Sequence, residues 1–316
     1  MKAIQFFAIT ALGAALFASC SNEEELATGS YPSDNLIRVT AGVNNDMTRS
    51  DEAVTPTSLT QNFSLTVVNN TNDNFSYANE IFSLKGTEWS CGKNLLWQNL
   101  STPVEIVALY PATAANTFSG VYSKENNTVG TITYGVNPDQ SKADDANNDL
   151  LLYHNASFKP EKDLQEGKLN IEFKHAFCRV DIEVTIGSEF NASTGLSANP
   201  IQGIKVGGTK ISADIGFAST EPFFTVTPSE SGEVTSIIPT ERDFTPAASA
   251  TAKAVARYSC IVIPQTADLN VVLHTSDREF EWTGSQMELV SGKQYTLQLN
   301  MKKSATARKF ILRERK

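Results

Sequence analysis

The side chains able to do chemistry are few and scattered. Four cysteines stand at positions 20, 91, 178 and 260, none of them in a CxxC pair, and the three histidines include no HExxH. A zinc site would therefore have to gather its ligands from distant strands. No G-x-S-x-G and no Gly-rich phosphate loop is present to carry a serine nucleophile or a nucleotide. The carboxylates Asp144, Asp145 and Asp149 lie in a low-complexity stretch from Lys142 to Asp149, where solvation is the default and a calcium site lacks support. His175 falls on the apolar phase of a strand pattern, with no carboxylate or hydroxyl at a spacing that would make it a base. It reads as a buried, hydrogen-bonded residue where two domains meet. The expectation is a protein that is not an enzyme, with no catalytic residue, no metal and no cofactor.

Composition narrows the classes further. With 316 residues, 41% hydrophobic and 19% charged, the chain is globular rather than disordered and long enough for two domains. The net charge is −9, and it is uneven: Lys302, Lys303, Arg308, Lys309, Arg313, Arg315 and Lys316 face only Glu314, so the tail carries +6 and the remainder −15. An acidic body offers no surface for gathering phosphates, so no nucleic acid is expected among its partners.

Cys20 differs from the other thiols in its setting. Lys2 precedes an apolar run from Ala3 to Phe17, shorter than the ~20 residues of a membrane span and of the size of a secretory core segment. The run ends in Leu16-Phe17-Ala18-Ser19-Cys20, which resembles the lipobox of bacterial lipoproteins. That resemblance implies a signal peptide over residues 1–19, acylation of the Cys20 thiol and contact with outer-membrane lipid through it. Two or three acyl chains make a stable anchor where one alone is marginal. Ser21-Asn22-Glu23-Glu24-Glu25 opens a flexible tether over residues 20–33 and resembles the acidic export signal of surface lipoproteins in Bacteroidetes. Three cysteines then remain, so at least one is a free thiol, with the pairing of Cys91, Cys178 and Cys260 left open; Cys178 lies in an apolar strand and reads as core.

The body reads as strands throughout. Apolar residues alternate at Ile37, Val39, Ala41 and Val43, at Phe63, Leu65 and Val67, at Val104, Ile106, Ala108 and Tyr110, and at Tyr295, Leu297, Leu299 and Met301. Asn, Asp, Ser, Thr and Gly clusters such as Asn69 to Asn74 separate them, and no segment sustains a helical period. An all-β chain with many short strands predicts two sandwiches. The seam is expected at Phe158 to Asp163, where a proline and charges interrupt the strand pattern, which gives domains of 34–162 and 163–301 followed by a basic tail, 302–316. Leu169, Ile171, Phe173, His175 and Phe177 share one phase while Val180, Ile182, Val184 and Ile186 share the other, which predicts a β-bulge near Cys178-Arg179.

Four stretches in order carry a family resemblance. The strand Lys168 to Val184, with Phe173-Lys174-His175-Ala176, resembles the one opening the second domain of fimbrillin-like proteins of Bacteroidetes. Met47-Thr48-Arg49-Ser50 resembles their processing site, and Ala108-Leu109-Tyr110-Pro111-Ala112 a strand end of their first domain. Tyr258 to Gln265, then Gly292 to Leu299, is similar to their paired strands near the carboxyl end.

The resemblance implies two transthyretin-like β-sandwich domains in tandem and the role of a type V pilus subunit. It implies export as a lipoprotein, cleavage between Arg49 and Ser50 by a trypsin-like protease, and loss of the first strand, 36–43. Ile37, Val39, Ala41 and Val43 are the residues that strand would bury, and a strand from another fimbrial subunit would fill the groove left behind. Localisation would be the outer membrane surface and then the fimbrium, with adhesion or biofilm formation as the outcome and a host or bacterial surface ligand as a further partner. The tail departs from the pattern: only Phe310, Ile311 and Leu312 are apolar, so it reads as a weak donor strand, as the solvated end of a subunit that accepts without donating, or as a basic patch for anionic glycolipid. The rival reading is a monomeric surface glycan-binding lipoprotein, which needs an aromatic platform from Trp89, Trp97 or Trp282.

Overall fold

The computed structural model describes residues 31–44, 59–113, 121–123, 125, 127–142 and 148–303, and the backbone of 311–314. Cys20, Arg49, Ser50, Asp144 and Asp145 lie outside the described residues, as do the expected signal peptide and most of the expected tether. Tyr31, at the far end of that tether, already packs against the first core.

As the alternation requires, the described chain is almost all strand. The first half holds β1 (Val39–Val43), β2 (Phe63–Val68), β3 (Tyr77–Lys85), β4 (Glu88–Ser90), β5 (Val104–Tyr110), a small hairpin of β6 (Tyr122–Ser123) and β7 (Thr128–Val129), β8 (Ile132–Gly135), β9 (Leu151–Phe158) and β10 (Leu169–His175). Seven of these form one sheet in the order β1-β10-β9-β5-β2-β3-β4. The sheet curls until its two ends, β1 and β4, lie next to each other. Its inner face carries Phe63, Leu65, Ile106, Tyr110, Leu151, Leu169, Ile171 and Phe173, none more than 1% exposed.

The second half begins at β11 (Cys178–Ile186) and continues through β12 (Gly203–Gly207), β13 (Ser212–Phe217), β14 (Phe224–Pro228), β15 (Thr240–Thr245) and β16 (Ala254–Val262). It ends with β17 (Gln265–Ala267), β18 (Asn270–His274), β19 (Glu279–Thr283), β20 (Met287–Leu289), β21 (Gln294–Met301) and β22 (Ile311–Glu314). Its main sheet runs β15-β16-β11-β21-β22, faced by the smaller sheet β12-β18-β19. Val180, Ile182, Val184, Leu297 and Leu299 fill the space under the main sheet.

Four expectations change. The seam at 158–163 is not where the sheets part, because β10 pairs with β1 and β9 and so completes the first sheet; the crossing comes at Ala176-Phe177. The phase change there is therefore a passage between sheets, with Leu169 to His175 packing into one core and Val180 to Ile186 into the other, rather than a bulge within one sheet. Nor are the halves independent. β8 pairs antiparallel with β13, Thr133 Oγ1 donates to Asp214 Oδ1 at 2.6 Å, and the Gln140 side chain bonds both ways to the backbone of Ile261 at 2.9 and 2.8 Å. Val107, Leu109, Leu150 and Leu152, on the outer face of the first sheet, join the second core. Finally, the basic tail is not simply solvated: β22 lies antiparallel to β21, with Ile311 opposite Gln298 and Glu314 opposite Tyr295.

Candidate functional site

β1 is the strand on which the expected strand replacement turns. It pairs in parallel with β10, Val39 opposite Leu169 and Val43 opposite Phe173, and has no other strand partner among the described residues. Leu169 N donates to Arg38 O at one end of this ladder and Asn44 N to Phe173 O at the other, both at 2.8 Å. Ahead of the strand, the chain is held on its other side: Ile37 N donates to Leu95 O and Trp97 N to Asn35 O, again at 2.8 Å. The segment from Asn35 to Asn44 is thus clasped first by residues 95–97 and then by β10.

The alternation seen in the sequence orients it. Ile37 and Val39 are 8% and 6% exposed and enter the first core, Ala41 and Val43 are partly buried against it, and Thr40 and Gly42 face outward. The expected four buried side chains are therefore two buried and two at the rim. At ~1.5–3 kcal/mol for each fully buried large apolar side chain, Ile37 and Val39 contribute about 3–6 kcal/mol gross, an upper estimate because the unfolded chain is not fully extended.

Beneath the strand lies an aromatic floor. Phe63 stacks on Phe82 at 5.2 Å and meets Trp89 and Phe173 edge-on at 4.8 and 5.7 Å. Between β1 and β4 a cleft of about 390 Å³ remains, with Val39, Ala41, Trp89 and Cys91 among its walls. The unpaired edges of the curled sheet face each other across it. Just before β1, Arg38 forks onto Asp34 at 2.9 and 2.5 Å, and that hydrogen bonding holds the Asp34 carboxyl down at about 2. Both groups are exposed, so the pair adds little to stability.

The remaining candidates resolve as follows. Trp97 and Trp282 are 2% and 4% exposed, stacked on Phe158 and Phe280 respectively, and Trp89 serves the floor beneath β1, so none of the three is an exposed platform for a sugar. Cys91, Cys178 and Cys260 are all free. Burial pushes the Cys178 thiol well up and the Cys260 thiol up to about 12, which leaves both inert. His175 is buried as expected, but its partner is Asp149, which the sequence placed in a solvated loop; Nδ1 lies 2.6 Å from Oδ2, and the Asp149 side chain is fully buried. Sequence reasoning also missed His154, which binds Phe223 O and Glu105 Oε1, each at 2.8 Å, and so ties β9 to the second half. These partners stand far apart in the chain, and no local spacing announces them.

The described residues form an almost all-β fold in two joined halves, with β1 as an edge strand of the first sheet. The chain belongs to the fimbrillin-like family, whose pattern it matches over residues 48–310. That family is one of cell-surface fimbrial proteins. Among solved structures it is similar to a candidate cell adhesion protein from Bacteroides uniformis, at 15% identity over 90% of this chain and 98% of that one, with a TM-score of 0.53. A second, from Bacteroides ovatus, shares 14% identity over 89% and 96%, with a TM-score of 0.51. The fimbrial anchor protein Mfa2 of Porphyromonas gingivalis is more distant, at 10% identity over 83% and 90%, with a TM-score of 0.38. No curated protein matches the sequence.

Proposed function

We propose that this chain is a structural subunit of a cell-surface fimbria, exported as a lipoprotein through Cys20, cut after Arg49 and assembled by strand exchange at the place of β1. The two halves then correspond to the tandem sandwiches of the family. The observation that carries the reading is the lateral clasp on residues 35–44. Removing that segment uncovers the backbone groups of β10 and of Leu95 and Trp97 over an apolar floor, which is the geometry that accepts an extended strand. A subunit that retains β1 has its slot filled, and one cut between β1 and β2 holds the strand by non-covalent contacts alone.

The pairing of β22 with β21 of the same chain supports a subunit that accepts a strand while its own tail is engaged at home, as at a tip or an anchor. Adhesion or biofilm formation would follow from assembly, and the outer membrane would be the site of the uncut form. The test is the amino-terminal residue of protein recovered from the cell surface. Ser50 in assembled material supports the reading, and an acylated Cys20 in assembled material counts against it.

A further inference from the structure

The slot does not end where β1 ends. A cleft of about 730 Å³ opens beside Asn44, the residue that closes the β1 ladder, and runs between β14 on one wall and β17 and β20 on the other. It is of the size that holds a ligand segment, ~300–1,000 Å³. Backbone phase shows how it relates to β10. Leu169 and Phe173 turn their backbone groups toward β1, whereas Ala176 N donates to Leu150 O and Lys174 lies opposite Leu152, so odd residues of β10 serve β1 and even ones serve β9. His175 is the next odd residue, and its peptide groups face the side where β1 has stopped. A Cβ added to Gly292, on the cleft wall, would sit 3.6 Å from His175 O, which places that carbonyl at the cleft.

The β14 wall offers a second free edge. Ala218 N donates to Phe223 O and Ser229 N to Ser212 O, which fixes the phase of the β13–β14 ladder: Thr225 and Thr227 bond to β13, and the N–H and C=O of Val226 point away from it. Pro222 and Pro228 flank this edge and limit pairing to a short stretch. Two strand edges that are open among the described residues therefore line a cleft that continues the track of β1, and Asn44 would leave with β1 if the chain is cut after Arg49.

We infer that the strand replacing β1, an extended segment of a second fimbrial subunit, runs beyond the β1 footprint into this cleft and adds a rung at His175. This rests on the reading of β1 as the displaced strand and extends it: the partner segment must exceed the stretch 36–44 by about two residues or more, at ~3.3 Å each, to reach between the walls. A donor that matched β1 in length alone would leave the His175 rung and the Val226 edge unpaired.

The test uses the full chain, processed and assembled on the surface, with a photo-crosslinking residue at Thr227 or Thr266. Both are exposed cleft residues, one from each wall. The expected result is a subunit-to-subunit cross-link from both positions, its loss in Arg49→Ala, and none from Thr245, an exposed position on β15. Thr227→Trp and Thr266→Trp, which narrow the cleft, should also lower the temperature at which assembled ladders dissociate. Ladders that form normally while Thr227 and Thr266 give no intersubunit cross-link overturn the extended track and leave strand exchange standing. Absence of any ladder from the unaltered protein overturns both.

Discussion

His175 Nδ1 and Asp149 Oδ2 meet at 2.6 Å at the passage from the first sheet to the second, and their side chains are 2% and 0% exposed. Burial alone would lower the imidazole pKa, but the Asp149 charge and hydrogen bond outweigh it and raise it. A raised histidine contributes stability that is fully present below its unfolded value, ~6.5, and is lost as pH climbs through the higher folded value. The melting-temperature advantage of the unaltered protein over Asp149→Asn should therefore narrow as pH rises above about 6.5. A gap that widens with pH would refute the pairing. Asp149→Ala, which leaves a buried neutral imidazole without its partner, should cost about 1–3 kcal/mol near pH 6 by chemical denaturation.

The same junction predicts what fragments will do. A chain beginning at Lys168 carries β10 away from its sheet, strips β13 of β8 and removes Leu150 and Leu152 from the second core. It should show no cooperative melt by circular dichroism, whereas the full chain should melt cooperatively. A sharp transition in the fragment would show that the halves fold separately.

How much of this was legible varies with the range of the contact. The alternation of Ile37 to Val43 announced both the strand and its inward face, because period two is a local property. That the same pattern ran from Leu169 through Val184 hid the sheet crossing, since a change of phase looks alike whether a strand bulges or passes between sheets. The Pro160 interruption looked like a domain seam, yet it is a turn with a short helix, Pro160–Asp163, leading into the last strand of the first sheet. Asp149 was misread because polar neighbours disguise a carboxylate whose only pointer is a histidine elsewhere in the chain. Trp97 and Trp282 stand among polar neighbours in the sequence, and both are buried, as tryptophans under a sandwich edge commonly are.

Truncating the strand separates its role before and after processing. Ile37→Ala should destabilise the uncut chain by about 2–5 kcal/mol in denaturant titration, as for other buried large-to-small changes. On the proposed processing it should leave the heat resistance of assembled ladders unchanged, because a subunit cut after Arg49 would no longer carry residue 37. Equal loss in both forms would mean that β1 stays in place after assembly.

Lipid attachment is tested at Cys20. Cys20→Ser should abolish fatty-acid labelling and detergent partitioning of the precursor. Labelling that persists in this variant would sink the lipoprotein assignment.

The central claim is that β1 gates assembly, and Arg49→Ala tests it most directly. The measurement is an unheated sodium dodecyl sulfate gel of surface extract, with amino-terminal sequencing of each band. The account predicts that the unaltered protein gives a ladder whose bands begin at Ser50, and that Arg49→Ala gives a lipid-anchored monomer with β1 retained. Detergent-resistant ladders from Arg49→Ala with the amino terminus intact would contradict it.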